Sequence, residues 1–585
     1  MIQKLALVVT LLLSFLFAQD YHYTLSWLEP HTHTYRITVE VLPQTKGYTD
    51  FRIPSWRPGR YRLQDYSAAA TNVSAQDSKG NSLIFSKVDK DTWRVKHGIL
   101  DKVRFTYDIY AANFDAGSSY RGDGFAYFNP VNMFANVPGR LDEAVVLDVP
   151  SLPASWKVAT QLKRTSKTRF ETDSYHDFVD APTVFAKEMK QLSFKDQGTT
   201  FYLHFHGNYQ GDAAVDKAMI DGIKKICQEA SAIFEDGYPF EEFHLIYRLL
   251  PFRYRHAVEH SRSVSFTLPD NVTAKTSSLV GGVFGLTAHE VFHAWNVKRI
   301  RPAALWPYDY SQPQYTTLHW FTEGITDYYA DLLLVRAGLI DKENFYRRMG
   351  RTIDALDNNA SAITISPSMQ SYNSWFEASD YTHPMHSVSY YTSGGRLGLM
   401  IDSKMRGITK GEKGLDDVFR MLYQNNFKQD KGVPEDGVQK AIESLTGESW
   451  QDFFTRYVHG TESFNYKSIL GPIGLELNIE LDEASGPSRL GITRYSSGGQ
   501  GLTVDRIHTK GDAYLGGVGK GDLIFMVNGE DATKVDFDKI CNDLKPGDKL
   551  RLKVFRGIAA QDVVITYRGA FTPQASLLQE KGKKN

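Results

Sequence analysis

Residues 287–296 read Thr-Ala-His-Glu-Val-Phe-His-Ala-Trp-Asn, and the spacing of the two histidines decides the fold. His289 and His293 stand four apart in Ser277–Lys298, a stretch whose apolar spacing predicts a helix. Side chains four apart leave the same helical face, so both imidazoles can share one metal ion. Glu290, next to the first ligand, is placed to take a proton from a metal-activated water. A second stretch, Trp320-Phe-Thr-Glu-Gly-Ile-Thr-Asp-Tyr-Tyr329, puts Glu323 thirty residues after His293 inside another predicted helix, Leu318–Ala337. A catalytic zinc site wants three protein ligands and one open position, and His-His-Glu is an accepted set. Asp327 lies four residues after Glu323, placed to hold the non-ligating nitrogen of one of the two histidines.

Around that centre the chain divides by pattern. At 585 residues it is long enough for three or four domains, each with its own core. Sixty-seven basic residues against 68 acidic ones leave a net charge of −1, with no basic field for a phosphate backbone, so nucleic-acid binding is disfavoured. The two cysteines, Cys227 and Cys541, are too few for a disulfide framework and read as separate buried thiols. Lys4 followed by the apolar run Leu5–Phe17 and then Ala18 has the shape of a secretory signal peptide, 1–18. Export to a periplasmic or extracellular compartment is therefore expected, with no membrane span left after cleavage.

Residues 19–208 read as an antiparallel β-sandwich. Tyr35–Leu42 and Lys102–Tyr110 alternate apolar and polar, and Pro54-Ser-Trp-Arg-Pro-Gly-Arg-Tyr61 is a turn too broken for a helix. From 209 to 470 helical spacing dominates, beginning with Ala213–Phe234 and interrupted by short strands at 243–247 and 263–268. Residues 471–570 return to short strands with one helix, Phe537–Leu544, and 571–585 read as a basic tail.

The run His289-Glu-Val-Phe-His-Ala-Trp-Asn-Val-Lys-Arg-Ile-Arg-Pro302, with Asp309-Tyr310 and Trp320–Tyr329, resembles the glycyl aminopeptidase family of zinc metallopeptidases. These are gluzincins, and the resemblance implies a thermolysin-like catalytic domain between an N-terminal β-domain and a C-terminal PDZ domain. The 54–61 turn looks like part of that β-domain. The resemblance further implies that Tyr391, in Ser389-Tyr-Tyr-Thr-Ser-Gly394, steadies the oxyanion, with Tyr390 as a rival and Ser393 where a lysine is common. It implies that Glu259, in Ala257-Val-Glu-His-Ser261, binds the substrate's free α-amino group. His256 and Ala257 replace the usual glycines there, and His260 is either near the scissile bond or structural. Lys510–Tyr514 and Val518–Gly529 resemble a bacterial-protease PDZ domain that takes peptide C-termini, with Leu490, Gly491 and Ile492 as the candidate carboxylate loop.

The expected protein is an exported aminopeptidase carrying one zinc per chain and removing small N-terminal residues, Gly or Ala, from peptides. Two alternatives stay open: an endopeptidase of the same zinc fold, and a non-catalytic peptide-binding protein, against which Glu290 speaks.

Overall fold

The computed structural model describes residues 21–44, 47–98, 102–357, 359–376, 388–481, 485–508, 510–569 and 573–579. The expected signal peptide and the basic run 581–584 lie outside the described residues. The chain forms two compact units, 1–315 with 426–432, and 316–425 with 433–585. Among the described residues no helix is long and apolar enough to cross a membrane.

The first unit opens with the expected β-rich domain. Its largest sheet has seven strands, with Tyr21–Trp27, Thr34–Val41 and Val103–Tyr110 at the centre. Alternation places Tyr35, Ile37, Val39 and Val41 in the core, where Phe105 stacks on Phe51 of a three-stranded sheet at 4.7 Å. A four-stranded sheet closes the other side, and the buried Tyr35 hydroxyl donates to backbone carbonyls of Tyr120 and Tyr127 on it.

A five-stranded sheet comes next: Lys190–Asp196, Thr199–Gly207, Glu242–Leu250, Ser263–Pro269 and, at the edge, His256–Glu259. Thr199–Gly207 and Glu242–Leu250 are parallel, so a crossover is needed, and helix Ala213–Phe234 supplies it. Asp212 caps that helix by accepting from the N–H groups of Ala214 and Val215. Strands 190–207, read from sequence into the sandwich, therefore pair with the next domain's sheet. Alternating strands look alike in either sheet, so only the pairing reveals this.

The helix expected over Ser277–Lys298 is shorter and less regular. A wide turn, Val280–Phe284, leads into a regular helix, Gly285–Phe292. The chain leaves the helix axis after His293: the Lys298 N–H donates to the His293 carbonyl, and Val297 has φ 92°. The apolar residues Ala294, Trp295, Val297 and Ile300 are all buried, so their spacing imitates a longer helix. Phe234 stacks on Trp295 at 5.0 Å and holds the turn against helix Ala213–Phe234.

The second unit is helical up to about residue 470. A wide turn, Trp320–Gly324, precedes helix Ile325–Arg336, and a longer helix runs over Tyr390–Ile408. Helices Lys342–Asp357 and Gly437–Thr446 are further elements of this unit. The PDZ strands fall where expected, at Gly501–Ile507, Leu523–Val527, Lys549–Arg556 and Ala559–Thr566, joined by Ile492–Gly498 at the edge. Leu490, Ile492, Val504, Ile524 and Leu552 lie in its core. Cys227 and Cys541 are both free and buried. Residues 573–579, read as tail, instead form a strand antiparallel to Leu475–Leu481.

One close approach organises the helical part of the second unit. A β-carbon on Gly394 would lie 2.0 Å from the Trp320 carbonyl oxygen, and one on Gly324 would lie 2.4 Å from the Gly394 Cα. Backbone atoms cannot move aside as a side chain does, so Gly394→Ala is expected to destabilise by about 1–3 kcal/mol, read as a lower melting temperature. Gly395→Ala is the control. Its β-carbon would find its nearest atom at 3.6 Å, and helix propensity favours alanine, so no loss is expected.

Candidate active site

The two histidines project from helix Gly285–Phe292 and its last turn, and both are buried, at 8% and 1% exposure. Their Nε2 atoms lie 3.0 Å apart, and the His293 Nδ1 is 2.8 Å from the Asn296 carbonyl oxygen. A carbonyl only accepts, so Nδ1 carries the hydrogen and Nε2 keeps its lone pair for a metal. The turn that ends the helix early is thus what sets the tautomer of His293. Asn296 was not read from sequence in this role. Glu290 is buried on the same helix, and the hydroxyls of Tyr247 and Thr287, 3.0 Å apart, tie that helix to the five-stranded sheet.

Glu323 sits in the wide turn Trp320–Gly324 at 2% exposure, and Asp327 is half-buried in the first turn of the following helix. His319, which sequence reasoning passed over, is fully buried on the same turn. Burial pushes its pKa down to about 4, against the upward pull of Glu323. Its ring lies 5.6 Å from that of Tyr390, which stacks on Tyr391 at 4.9 Å. Both tyrosines are half-buried at the start of helix Tyr390–Ile408, where the Ser389 hydroxyl accepts from the Tyr391 N–H. The Gly324–Gly394 approach brings this helix start against the backbone that carries Glu323. Ser393 is buried and donates to Gln370 Oε1 at 2.9 Å.

Among the described residues, one group of His, Cys, Asp and Glu donors could hold a metal ion. It is His289, His293 and Glu323, all buried, with ligand atoms within 4.8 Å of one another. Two neutral imidazoles and a carboxylate suit zinc.

Glu259 ends the edge strand His256–Glu259 and is 4% exposed. The His260 N–H donates to the Ser263 carbonyl across the hairpin, and pairing alternates from there. The backbone groups of Ala257 and Glu259 therefore point away from Ser263–Pro269, toward the unpaired side of the sheet. Glu259 Oε1 is buried without a hydrogen-bond partner among the described residues. The carboxylate rests on Gly59, in the broken turn 54–61: a β-carbon there would fall 2.5 Å from Oε2, and the φ of +78° also suits glycine. His260 is buried and its Nδ1 lies 3.0 Å from Asp180 Oδ1, which gives it a structural partner.

In the PDZ domain, Leu490 and Ile492 are buried in the core and Gly491 has φ +87°. The Gly491 N–H donates to Ser488 and its carbonyl accepts from His508, so part of this loop is already engaged. Ile492–Gly498 is an edge strand, and the Tyr495 hydroxyl donates to Asp538 on helix Phe537–Asp543 at 3.1 Å.

The sequence matches the Peptidase M61 N-terminal domain over residues 22–187, the M61 glycyl aminopeptidase domain over 282–397 and a PDZ domain over 478–555. The crystal structure of an aminopeptidase N family protein from Idiomarina loihiensis shares the fold. It matches 96% of this chain and 98% of its own, with a TM-score of 0.86 at 24% identity. An M1 zinc metallopeptidase from Deinococcus radiodurans, in a variant bound to a Tyr-Ser-Ala substrate, covers 76% of this chain and 94% of its own at 12% identity and a TM-score of 0.47. No curated protein matches the chain.

Replacing Glu323 by alanine is expected to lower metal content well below that of the parent, measured by metal analysis after gel filtration. Glu290→Gln removes no ligand and is expected to keep the metal.

Proposed function

The chain is a metallopeptidase that carries the M61 N-terminal and glycyl aminopeptidase domains with a PDZ domain, and on that premise we propose that it is a zinc aminopeptidase. The observation that carries this reading is Glu259, a buried carboxylate with an unpartnered oxygen, at the end of an edge strand whose free backbone groups face outward. A peptide aligned on that edge brings its α-ammonium to Glu259 and pairs its backbone with Ala257 and Glu259. Once the amine is held, only the first peptide bond reaches the metal centre.

His289, His293 and Glu323 would hold the zinc, one per chain, and when bound it supplies a polarised water and a Lewis acid for the scissile carbonyl. Glu290 takes the proton of the attacking water and returns it to the leaving amine. Tyr391 donates from its phenol to the oxygen that becomes negative in the transition state, with Tyr390 as the rival for that role. Asp327 keeps the role of orienting one of the two histidines. The name of the matched domain supports Gly as the N-terminal residue removed, and Ala is the next smallest side chain such a site would take. The PDZ edge strand Ile492–Gly498, with Leu490-Gly491-Ile492 before it, suits peptide C-termini as partners. The apolar N-terminal run supports export to the periplasm or beyond, with the mature chain beginning at Gln19.

Free and N-acetylated peptides test the reading. A charge-assisted hydrogen bond to the amine is worth about 1.5–3 kcal/mol, or roughly tenfold to over a hundredfold in kcat/KM. The parent enzyme should release Gly or Ala from free peptides and largely spare the acetylated ones. Efficient internal cleavage of a blocked peptide would instead make it an endopeptidase. Tyr391→Phe should lower kcat far more than it raises KM, since the phenol acts on a charge present only in the transition state. A Tyr391→Phe enzyme working at full rate would move that role to Tyr390 or to no tyrosine.

A further inference from the structure

Asp180 belongs to the N-terminal β-domain, where it ends the short helix Tyr175–Val179. Its carboxylate, 16% exposed, collects three donors from two distant segments. Lys298 Nζ donates to Oδ1 at 2.9 Å, the His260 ring Nδ1 donates to the same oxygen at 3.0 Å, and the Ser261 N–H donates to Oδ2 at 2.7 Å. His260 and Ser261 form the hairpin turn directly after Glu259, while Lys298 comes after the metal-ligand helix, with its own N–H on the His293 carbonyl. One carboxylate of the β-domain therefore ties the turn beside the amine anchor to the segment leaving the metal helix.

The Lys298 side chain is only 2% exposed, so this is a buried ion pair. Burial alone would push the Asp180 carboxyl up, but Lys298 and His260 hold it well below the ordinary carboxylate range. Such pairs gain little over apolar residues of the same size, and their best-attested use is to fix a geometry. Here the geometry fixed is that of the turn next to Glu259. The β-domain touches the anchor a second time through Gly59, against which the Glu259 carboxylate rests.

We infer that Asp180 is a positioning residue for amine recognition: through His260 and Ser261 it holds the Glu259 carboxylate in place, so that the N-terminal β-domain builds part of the site that reads a free N-terminus. The inference rests on the aminopeptidase reading. It assigns the β-domain a part in substrate selection, and it gives His260 its role.

The test measures kcat/KM for a free Gly or Ala peptide and its N-acetylated form with the parent, Glu259→Ala, Asp180→Asn and Asp180→Glu enzymes, each checked for zinc content and melting. Asp180→Asn is expected to keep its zinc and to lose tenfold or more on the free peptide, mostly through KM. Its free-to-acetylated ratio should fall toward that of Glu259→Ala. Asp180 borders a cavity of about 480 Å³, which leaves room for one more methylene, so Asp180→Glu should keep more of that ratio than Asp180→Asn. If Asp180→Asn does not fold, the double variant Asp180→Asn with Lys298→Met removes both buried charges and is measured in the same way. A parent that discriminates, with a folded Asp180 variant that discriminates equally well, overturns this inference alone. A parent indifferent to acetylation overturns the aminopeptidase reading, and this inference with it.

Discussion

Two imidazoles one helical turn apart can serve one metal only if each presents an unprotonated nitrogen to the same point. The 3.0 Å between the Nε2 atoms of His289 and His293 shows how narrow that condition is. For His293 the condition is met by the backbone, since the Asn296 carbonyl takes the Nδ1 hydrogen. Asn296 is available only because the helix stops at Phe292 and the chain turns back, with Val297 in a left-handed conformation that a β-branched residue seldom adopts. The aromatic stack of Phe234 on Trp295 and the Arg299 guanidinium, which reaches the carbonyls of Ser261 and Pro239, pin the turn where it is needed. Backbone strain is thus held next to the metal ligands by packing that determines the turn several times over.

The second unit meets a comparable constraint with glycine. Glu323 lies in a wide turn rather than a regular helix, and the start of Tyr390–Ile408 has to approach it at backbone distance. Gly324 and Gly394 make that approach possible, and Gly398 repeats it one turn on, where a β-carbon would fall 2.9 Å from Tyr328. The tyrosine pair 390–391 therefore rides on a helix whose position is set by contact with the ligand-bearing turn. His319, driven neutral by burial, fills the space between Glu323's turn and Tyr390 without adding a second charge beside the carboxylate.

How much of the molecule was legible in the sequence depends on how local each signal is. The His289–Glu290–His293 spacing, the strand alternation of 35–42 and the PDZ strands depend on near neighbours, and they stand where periodicity placed them. The true end of the metal helix was hidden because Trp295, Val297 and Ile300 continue an apolar pattern while making a turn. Strands 190–207 were assigned to the wrong sheet because alternation reports a buried face but not the partner. The strand at 573–579 has no local signature because its pairing with 475–481 spans about a hundred residues. Nothing local marks Asp180, or the partners that Gly59 and Lys298 find. Each acts through residues 80 to 200 positions away, and only the folded chain brings them to the hairpin after Glu259.

On the proposed aminopeptidase reading, the cost of burying Glu259 would underlie selection of free N-termini. A carboxylate oxygen buried without a partner forgoes the hydration it would have in water, a penalty of about 1–3 kcal/mol or more for a charged group. Flexible surroundings would relieve it by letting the side chain swing to solvent. Gly59 on one side and the Asp180-clamped turn on the other deny Glu259 that escape. The penalty is then removed by whichever ligand brings a donor to Oε1, and a substrate ammonium brings a charged one. On the proposed reading an acetylated N-terminus would bring only a neutral amide N–H and extra bulk, so Oε1 would gain no cationic donor. Rejection of a blocked peptide would then derive from the rigidity around Glu259 as much as from attraction to the free amine, in the way that sites built around a buried polar group refuse ligands that leave it unpaired.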